Sequence, residues 1–158
     1  MEIRKFCDSD ITQIVSLFYE TVHSVNARDY TQEQLDAWAP KDEKGNKMIS
    51  WKDSMGRNIT YVAEDKGKIV GFSDMTHDGY LDRLFIHKEF QGQGIASDLV
   101  NVLESEARRL RLVEINTEAS ITAKPFFERH GYRVIYSQTV EKRGVKLDNF
   151  KMVKKVGS

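Results

Sequence analysis

The chain has 158 residues, a length typical of one domain. It carries 24 lysine and arginine residues and 24 aspartate and glutamate residues, so the formal net charge is zero. The chain thus lacks the excess of basic residues that would indicate nucleic acid or an anionic membrane as a partner. Hydrophobic residues make up 40% and charged residues 30% of the chain, which excludes an intrinsically disordered protein.

The expected location is cytoplasmic. The single cysteine, Cys7, excludes an internal disulfide and fits a reducing compartment. No apolar run reaches the length of a transmembrane helix, and the N-terminal segment MEIRKFCDSD lacks the apolar core of a signal peptide. We therefore expect no membrane association.

The N-terminal part of the chain is predicted to form one strand and two helices. Residues 2–6 form the strand, and Asp8 or Ser9 can cap the first helix. Apolar residues fall on one face of that helix at Ile11, Ile14, Val15, Phe18 and Val22. Thr31 is expected to cap the second helix, with Gln34 reaching back in a capping box.

A short helix and an antiparallel meander follow. The charged segment 42–45 is predicted to be a loop, and 47–55 a helix of one or two turns that stops at Gly56. Three segments then show either alternating polar and apolar residues or a continuous apolar run, and glycine-containing turns separate them. They are predicted to be consecutive strands at 58–64, 68–75 and 80–86.

The C-terminal half alternates helices and strands. After a glycine-rich loop, an apolar stripe predicts an amphipathic helix; its members are Ile95, Leu99, Val102, Leu103, Ala107 and Leu110. A strand at 112–117, a helix at 122–130 and a hairpin formed by 132–138 and 145–153 complete the order. The strand at 112–117 is expected to run parallel to 80–86, because a helix crosses over between them.

The glycine-rich loop at 91–96, with the sequence QGQGIA, is the strongest functional signal. A glycine loop that leads into a helix N-terminus makes an anion site, because the first N–H groups lack helical partners and the helix dipole adds positive charge. Gly92 and Gly94 remove the β-carbons that would keep a phosphate from the backbone. The loop therefore predicts a phosphorylated ligand.

Two common phosphate loops fit less well. A P-loop requires a lysine after its second glycine, and none follows Gly94. The dinucleotide fingerprint is partly matched by residues 92–97, with Glu114 as the acidic residue downstream. That fingerprint normally opens a parallel sheet, whereas this loop follows roughly 80 residues of other structure. A nucleotide-dependent oxidoreductase remains a minor alternative.

Two blocks resemble the GNAT superfamily of acetyl-CoA-dependent N-acetyltransferases. Residues 91–96 with the strand 84–86 upstream are similar to its motif A, and residues 119–132 are similar to its motif B. The segment at 29–40 further resembles a branch of small bacterial acetyltransferases of mostly unassigned substrate.

The resemblance implies an α/β fold with a mixed, twisted central sheet, helices on both faces and the element order β-αα-βββ-α-β-α-ββ. Residues 1–158 would form a single N-acetyltransferase domain. The implied reaction transfers acetyl from acetyl-CoA, as co-substrate, to a primary amine by direct attack in a ternary complex. The acceptor would be a small-molecule or protein amine. Independently of the resemblance, the edge strands of the closing hairpin could pair two chains into a homodimer.

The resemblance also assigns the cofactor-binding residues. Main-chain groups of the strand before the loop would hold pantetheine and polarise the thioester, and those of the loop would hold the pyrophosphate. Ser120 stands where the family has an asparagine, and Phe127 where it has a tyrosine that gives a proton. The full set is Leu84, Phe85, Ile86, Gln91, Gly92, Gln93, Gly94, Ile95, Ala96, Ser120 and Phe127.

Candidate catalytic residues follow from the same strand. Strand alternation puts side chains 80, 82, 84 and 86 on one face, and the resemblance implies a catalytic carboxylate on that face, so Asp82 is the first candidate base, ahead of Glu114 and Glu118. Because Phe127 cannot give a proton, Tyr132 or Tyr136 is a substitute acid, and water is an equal alternative. The missing tyrosine also leaves open a non-catalytic domain that binds or senses acyl-CoA.

The acceptor pocket is expected among aromatic residues of the N-terminal helices. Tyr30 and Trp38 are the first candidates, with Trp51 and Lys52 next to examine, because aromatic rings can wall an amine pocket. The four histidines show no metal-ligand spacing, so no metal is predicted.

Overall fold

A seven-stranded mixed sheet forms the centre of the computed structural model, which describes residues 1–157. The strands are β1 (Glu2–Lys5), β2 (Ile59–Asp65), β3 (Lys68–Met75), β4 (Tyr80–Ile86), β5 (Glu114–Ser120), β6 (Arg133–Lys142) and β7 (Val145–Lys155). The helices are α1 (Ile11–Ser24), α2 (Gln32–Trp38), α3 (Lys44–Arg57), α4 (Ile95–Arg109) and α5 (Lys124–Arg129). This is the predicted element order with one more helix, α3, fully formed.

The strand order across the sheet is β1-β2-β3-β4-β5-β7-β6. Only the central pair β4–β5 is parallel, as expected of two strands that a helix connects. The remaining neighbours are antiparallel. The predicted fold class, a mixed α/β sheet, is confirmed.

Helices cover both faces of the sheet. Buried residues of α1, α2 and α3 form one core with Val62, Ile69 and Phe72 from the strands. On the other face, the apolar side of α4 packs with α5 and with Met75, Leu81 and other strand residues. The amphipathic pattern predicted for α4 is confirmed at Ile95, Leu99, Leu103 and Ala107, whereas Leu110 is exposed and Val100, outside the predicted stripe, is buried.

The segment between α2 and β2 differs from the prediction. Lys41–Glu43 form a single 3-10 turn, and α3 then runs over 14 residues and includes Gly45 and Gly56. Gly45 and Gly56 lie in the first and last turns of α3, so neither carries the full cost of about 1 kcal/mol that a glycine has in a helix interior. Packing stabilises the helix, because Met48, Trp51 and Met55 lie on one face of α3 and contact the core under α1.

The predicted N-caps of the first two helices were only partly correct. Thr31 caps α2 as predicted: its Oγ1 accepts from the Gln34 N–H at 3.2 Å, and its own N–H donates to Gln34 Oε1 at 2.9 Å. At α1, however, Asp8–Asp10 form a 3-10 turn and the helix begins at Ile11. The buried Asp10 carboxylate fixes that turn, because it accepts from the Cys7 N–H at 2.9 Å and from Arg4.

A β-bulge in β4 overturns the predicted alternation of residues 80 to 86. Asp74 of β3 pairs with Arg83, but the next β3 residue pairs with Leu81, so Asp82 is the extra residue. Leu81 and Leu84 consequently both pack on the α4 side, although regular alternation would put them on opposite faces, and Arg83 contacts Trp51 on the α1 side. Asp82 therefore does not share a face with Leu84 and Ile86.

No helix in the described part of the chain could cross a membrane. The longest, α4, has 15 residues, and none combines sufficient length with sufficient hydropathy.

Candidate active site

The two parallel strands separate soon after they meet. They pair only through Tyr80 with Asn116 and Leu81 with Thr117, whereas β5 stays paired with β7 along its whole length. Between residues 1 and 157, no strand pairs with the free side of β4 from Leu84 onward. The exposed backbone of β4 faces a cavity of about 790 Å³.

The glycine turn forms one end of this cavity. Gly92 and Gly94 have φ values of 73° and 83°, and a β-carbon on either would meet no atom within 4 Å. Glycine is therefore required at these positions by the positive φ values, and the main chain of the turn is left uncovered by side chains. Gly94 caps α4 without a side chain, and the first cap bond is Asp98 N–H to Gly94 O at 3.0 Å. The first-turn N–H groups are therefore placed to hold a phosphate.

Gln91 ties the turn to the preceding strand. Its Nε2 donates to Ile86 O at 2.6 Å, which fixes the loop against the end of β4. Of the predicted cofactor residues, all but Gln93 line the cavity. Gln93 is exposed, and its side chain reaches Glu89 O at 3.5 Å.

The two departures from the family motif occupy different surroundings. Ser120 Oγ accepts from the Ala123 N–H at 3.1 Å, which leaves its proton free to donate. Phe127 is buried, and its ring packs edge-on against Tyr132 and Phe126 with centroids 5.1 and 5.3 Å apart. Phe127, which replaces the tyrosine of the family motif, therefore packs in the core and also lines the cavity.

Three polar side chains line the gap where the strands diverge. The carboxylate of Asp82 is 36% exposed and lies 3.6 Å from Arg83 Nη2. Tyr80 donates to Glu118 Oε1 at 3.0 Å, and Gln138 donates to Glu118 Oε2 at 2.5 Å. Burial, followed by the nearby charges of Asp82 and Glu118, raises the pKa of Tyr80 well above its usual range. Glu114 is exposed and lies outside the cavity lining.

The assignment of Tyr132 as substitute acid is wrong in this geometry. Tyr132 is 3% exposed, does not line the cavity, and donates to Glu104 Oε2 at 2.9 Å. Burial raises the pKa of its phenol further, so it holds its proton inside the core. Tyr136 lies half-exposed on β6, also outside the cavity lining.

Both predicted acceptor residues line the cavity, together with Trp51. The Tyr30 hydroxyl donates to Asp148 O at 2.9 Å and accepts from the Ile121 N–H at 2.9 Å, so it links three segments of the wall. Its ring meets Trp38 edge-on at 5.5 Å. Lys52 is exposed and does not line the cavity.

A buried ion pair below the cavity was not foreseen. Arg83 donates to Asp74, which is fully buried, and to Ser54 Oγ at 3.0 Å, while its guanidinium stacks 4.5 Å from the centre of Trp51. Burial raises the pKa of Asp74 to about 6, although Arg83 and Asn58 oppose this. The one available sequence signal was an aspartate inside the apolar strand KIVGFSDM.

A second unforeseen pair joins α4 to α5. Ser97 and His130 both line the cavity, and their Oγ and Nε2 atoms are 2.8 Å apart. Because Nδ1 of His130 lies 2.9 Å from Phe126 O and must donate to it, Nε2 accepts the Ser97 proton. The pair connects the first turn of α4 to the end of α5 beside the glycine turn.

No group of three or more histidine, cysteine, aspartate and glutamate side chains within residues 1–157 is arranged to hold a metal ion.

These features define an α/β protein that can hold an extended phosphorylated ligand between splayed parallel strands. The family model described as Acetyltransferase (GNAT) domain matches residues 26–155. The chain is 35% identical to YafP of Escherichia coli, described as an uncharacterized N-acetyltransferase, over 154 residues that cover 96% of this chain and 94% of YafP. The chain belongs to the GNAT acetyltransferase family.

Solved structures share the fold. The chain superposes on a GCN5-related N-acetyltransferase from Rhodopseudomonas palustris with a TM-score of 0.91 and 25% identity, covering 98% of this chain and 94% of that one. It also matches yncA of Salmonella typhimurium, whose structure contains acetyl-CoA, with a TM-score of 0.72 and 18% identity over 100% and 95% of the two chains.

Proposed function

We propose that this protein is an acetyl-CoA-dependent N-acetyltransferase and that residues 1–158 act as one such domain. The acetyl group moves to a primary amine by direct attack in a ternary complex. The observation that carries the proposal is the single cavity that joins the glycine turn before α4, the unpaired edge of β4 and an aromatic pocket. The fold shared with yncA, whose structure contains acetyl-CoA, supports the choice of ligand.

The backbone supplies binding and polarisation. First-turn N–H groups of α4 and those of the glycine turn hold the pyrophosphate. Main-chain groups of residues 84–86 pair with the pantetheine arm and polarise the thioester carbonyl, where negative charge develops in the transition state. Ser120 adds a hydroxyl donor beside this arm.

Asp82 is the proposed base. The amine loses a proton to the Asp82 carboxylate, directly or through a water, and its nitrogen lone pair then bonds to the carbonyl carbon. The carbon–sulfur bond breaks, the thiolate leaves, and the nitrogen gives its second proton to a nearby water, so that a neutral amide forms. Water returns a proton to the thiolate, because a free thiol has a pKa of about 8.5 and needs little help. Tyr80 lines the gap, but its raised pKa makes it a hydrogen-bond donor rather than a proton source.

Thermal unfolding with acetyl-CoA, CoA, NAD and ATP tests the ligand. A ligand at 100 times its Kd adds about 2.7 kcal/mol, so acetyl-CoA should raise the midpoint by about 5–10 °C while NAD and ATP leave it unchanged. Thiol release with a panel of primary amines then tests the reaction.

Other outcomes point to the alternatives. No shift with acetyl-CoA or CoA contradicts the proposal, and a shift with NAD alone supports an oxidoreductase. Binding of acetyl-CoA without thiol release from any amine supports a sensing domain, a reading favoured by phenylalanine at position 127. Pairing through the edge strand β6 into a homodimer stays a prediction, which size-exclusion chromatography with light scattering tests.

A further inference from the structure

We infer that the acceptor amine carries an anionic group on an apolar, preferably aromatic, body, and that Lys47 and Arg83 bind this anionic group. The inference rests on the proposed function and names its substrate class. It concerns the part of the cavity that lies under α1 and α3.

Lys47 is a half-buried cation without a counterion. Its Nζ lies 5.2 Å from the ring centre of Phe18 and 5.0 Å from that of Trp51, and it lines the cavity. Within the described residues, no carboxylate approaches it within 4 Å. Burial, followed by the positive charge of Lys142, lowers its pKa, and Arg83 acts in the same direction. An anion in the cavity would relieve this unfavourable placement.

Arg83 contacts the ring of Trp51, as Lys47 does, and is held rigidly. The buried Asp74 accepts from one nitrogen of the guanidinium, Ser54 Oγ accepts from the other terminal nitrogen, and Trp51 supports its face. A guanidinium fixed in this way binds an oxyanion without losing side-chain freedom. Asp82 also lies near it, at 3.6 Å, but that carboxylate is partly exposed and forms no close hydrogen bond with Arg83.

Aromatic rings surround the two cations. Phe18 packs against Trp51 and Phe85 with centroids 4.8 and 5.1 Å apart, and Trp38 lies 6.3 Å from Phe85. All four rings line the cavity. Such walls favour a flat, apolar body between the two ends of the acceptor.

The acidic side chains of the cavity lie away from Lys47, although Asp82 is only 3.6 Å from Arg83. Asp82 and Glu118 line the gap between β4 and β5, and Asp148 lines the wall near Tyr30. Glu43, at the start of α3, is the carboxylate that partly offsets the cations around Lys47. A zwitterion suits this arrangement: its ammonium group approaches Asp82 and Glu118, and its anion reaches Lys47, with Arg83 shared between that anion and Asp82.

Matched amines test the inference. Thiol release with saturating acetyl-CoA is compared for 4-(aminomethyl)benzoate against benzylamine, and for phenylalanine against phenethylamine. In at least one pair the acid should have a kcat/KM at least about tenfold higher than its neutral partner. A preference for the neutral partner in both pairs, or equal rates, overturns the inference.

Two variants test whether Lys47 and Arg83 cause the preference for the acidic amine. Lys47→Gln should reduce the acid-to-neutral ratio at least about tenfold. Lys52→Gln, an exposed position on the same helix outside the cavity, should leave the ratio unchanged. Because Arg83→Gln alone would leave Asp74 buried without its partner, the double variant Asp74→Asn/Arg83→Gln is used, and it should also lose the preference. An unchanged ratio in both cavity variants overturns the assignment.

A binding measurement separates this inference from the proposed function. Trp38 and Trp51 line the cavity, so their fluorescence can be titrated with 4-(aminomethyl)benzoate and benzylamine, with and without CoA. Tighter binding of the acid that is lost in Lys47→Gln supports the anion site even if no acetyl transfer occurs. Absence of acetyl-CoA binding contradicts the proposed function, and no tighter binding of the acid contradicts the inference.

Discussion

Asp82 owes its position to the bulge in β4. In a regular strand it would share a face with Leu84 and Ile86, which pack with α4-side residues. The extra residue instead brings its carboxylate beside Arg83, in the gap that Tyr80 and Glu118 also line. A carboxylate in that place can accept a proton from an amine that enters between the strands.

Asp82→Asn should keep acetyl-CoA binding and lower kcat by about 10²–10⁴-fold, because asparagine cannot accept the proton. The measurement is thiol release under saturating acetyl-CoA, with binding checked by the thermal shift. Glu114→Gln is the control, since Glu114 lies outside the cavity and its variant should keep full activity. Unchanged activity in Asp82→Asn would remove Asp82 from the mechanism.

Asp74 makes stability depend on pH in an unusual direction. Burial raises its folded-state pKa from 3.8 to about 6, so between these values the folded protein holds a proton that the unfolded chain has lost. The contribution of Asp74 to the free energy of unfolding therefore falls as the pH rises from about 4 to about 6.

The free energy of unfolding of the wild type minus that of Asp74→Asn should decrease between pH 4 and pH 6, by at most about 3 kcal/mol. Urea unfolding at several pH values from 4 to 7 measures the difference. Asp53→Asn, on the exposed surface of α3, is the control and should show no such trend. A difference that is constant with pH, or that rises, would contradict the raised pKa.

At the scale of elements, the glycine turn and α4 act as one unit. The turn ends in a left-handed residue, Gly94, and the first residues of the helix, Ile95 to Ser97, line the cavity. Gln91 secures the same turn to β4. The strand, turn and helix thus place the edge of β4 and an anion site next to each other.

Gly94→Ala separates backbone strain from ligand contact. An alanine with positive φ costs about 1–2 kcal/mol of stability, and its methyl group enters the space over the turn. Acetyl-CoA affinity should fall at least about tenfold by calorimetry. Gly144→Ala is a matched control: Gly144 has a φ of 76°, equally open surroundings and a place in the β6–β7 turn. It should lose similar stability and no affinity, and equal affinity losses in both would contradict the loop assignment.

At the scale of the whole molecule, the sheet joins the two halves of the site. Tyr30, Trp38 and Trp51 of the aromatic pocket come from segments before β2, whereas Phe85, the glycine turn and α5 come from later in the chain. Tyr30 bonds across this division to the backbone of residues 121 and 148. Local opening of either half would therefore disturb the other.

Unfolding should accordingly be one cooperative transition. Both tryptophans lie in the N-terminal half, so their fluorescence reports that half, while circular dichroism near 218 nm reports the whole sheet. The two urea curves should coincide, and acetyl-CoA should move both by the same amount. Curves with separate midpoints would contradict a single domain.

Much of this architecture could be predicted from local patterns. The three meander strands, the cap at Thr31 and the buried side of α4 depend on neighbours in sequence, and all were found as predicted. The glycine turn was recognisable because positive φ and an exposed backbone require glycine at fixed spacing. Helix α3 was underestimated, since its glycines are outweighed by packing that no local pattern contains.

The sequence by itself determined the family, the order of the elements and the glycine turn before α4, because each depends on residues close together in the chain. Only the tertiary structure decided which side chains reach the reaction. A one-residue bulge separated Asp82 from Leu84, the core enclosed Tyr132 against Glu104, and strand pairing brought Asp74 to Arg83. These outcomes depend on contacts between segments that are distant in the chain. Such contacts stabilise the protein only once the sheet has brought the segments together.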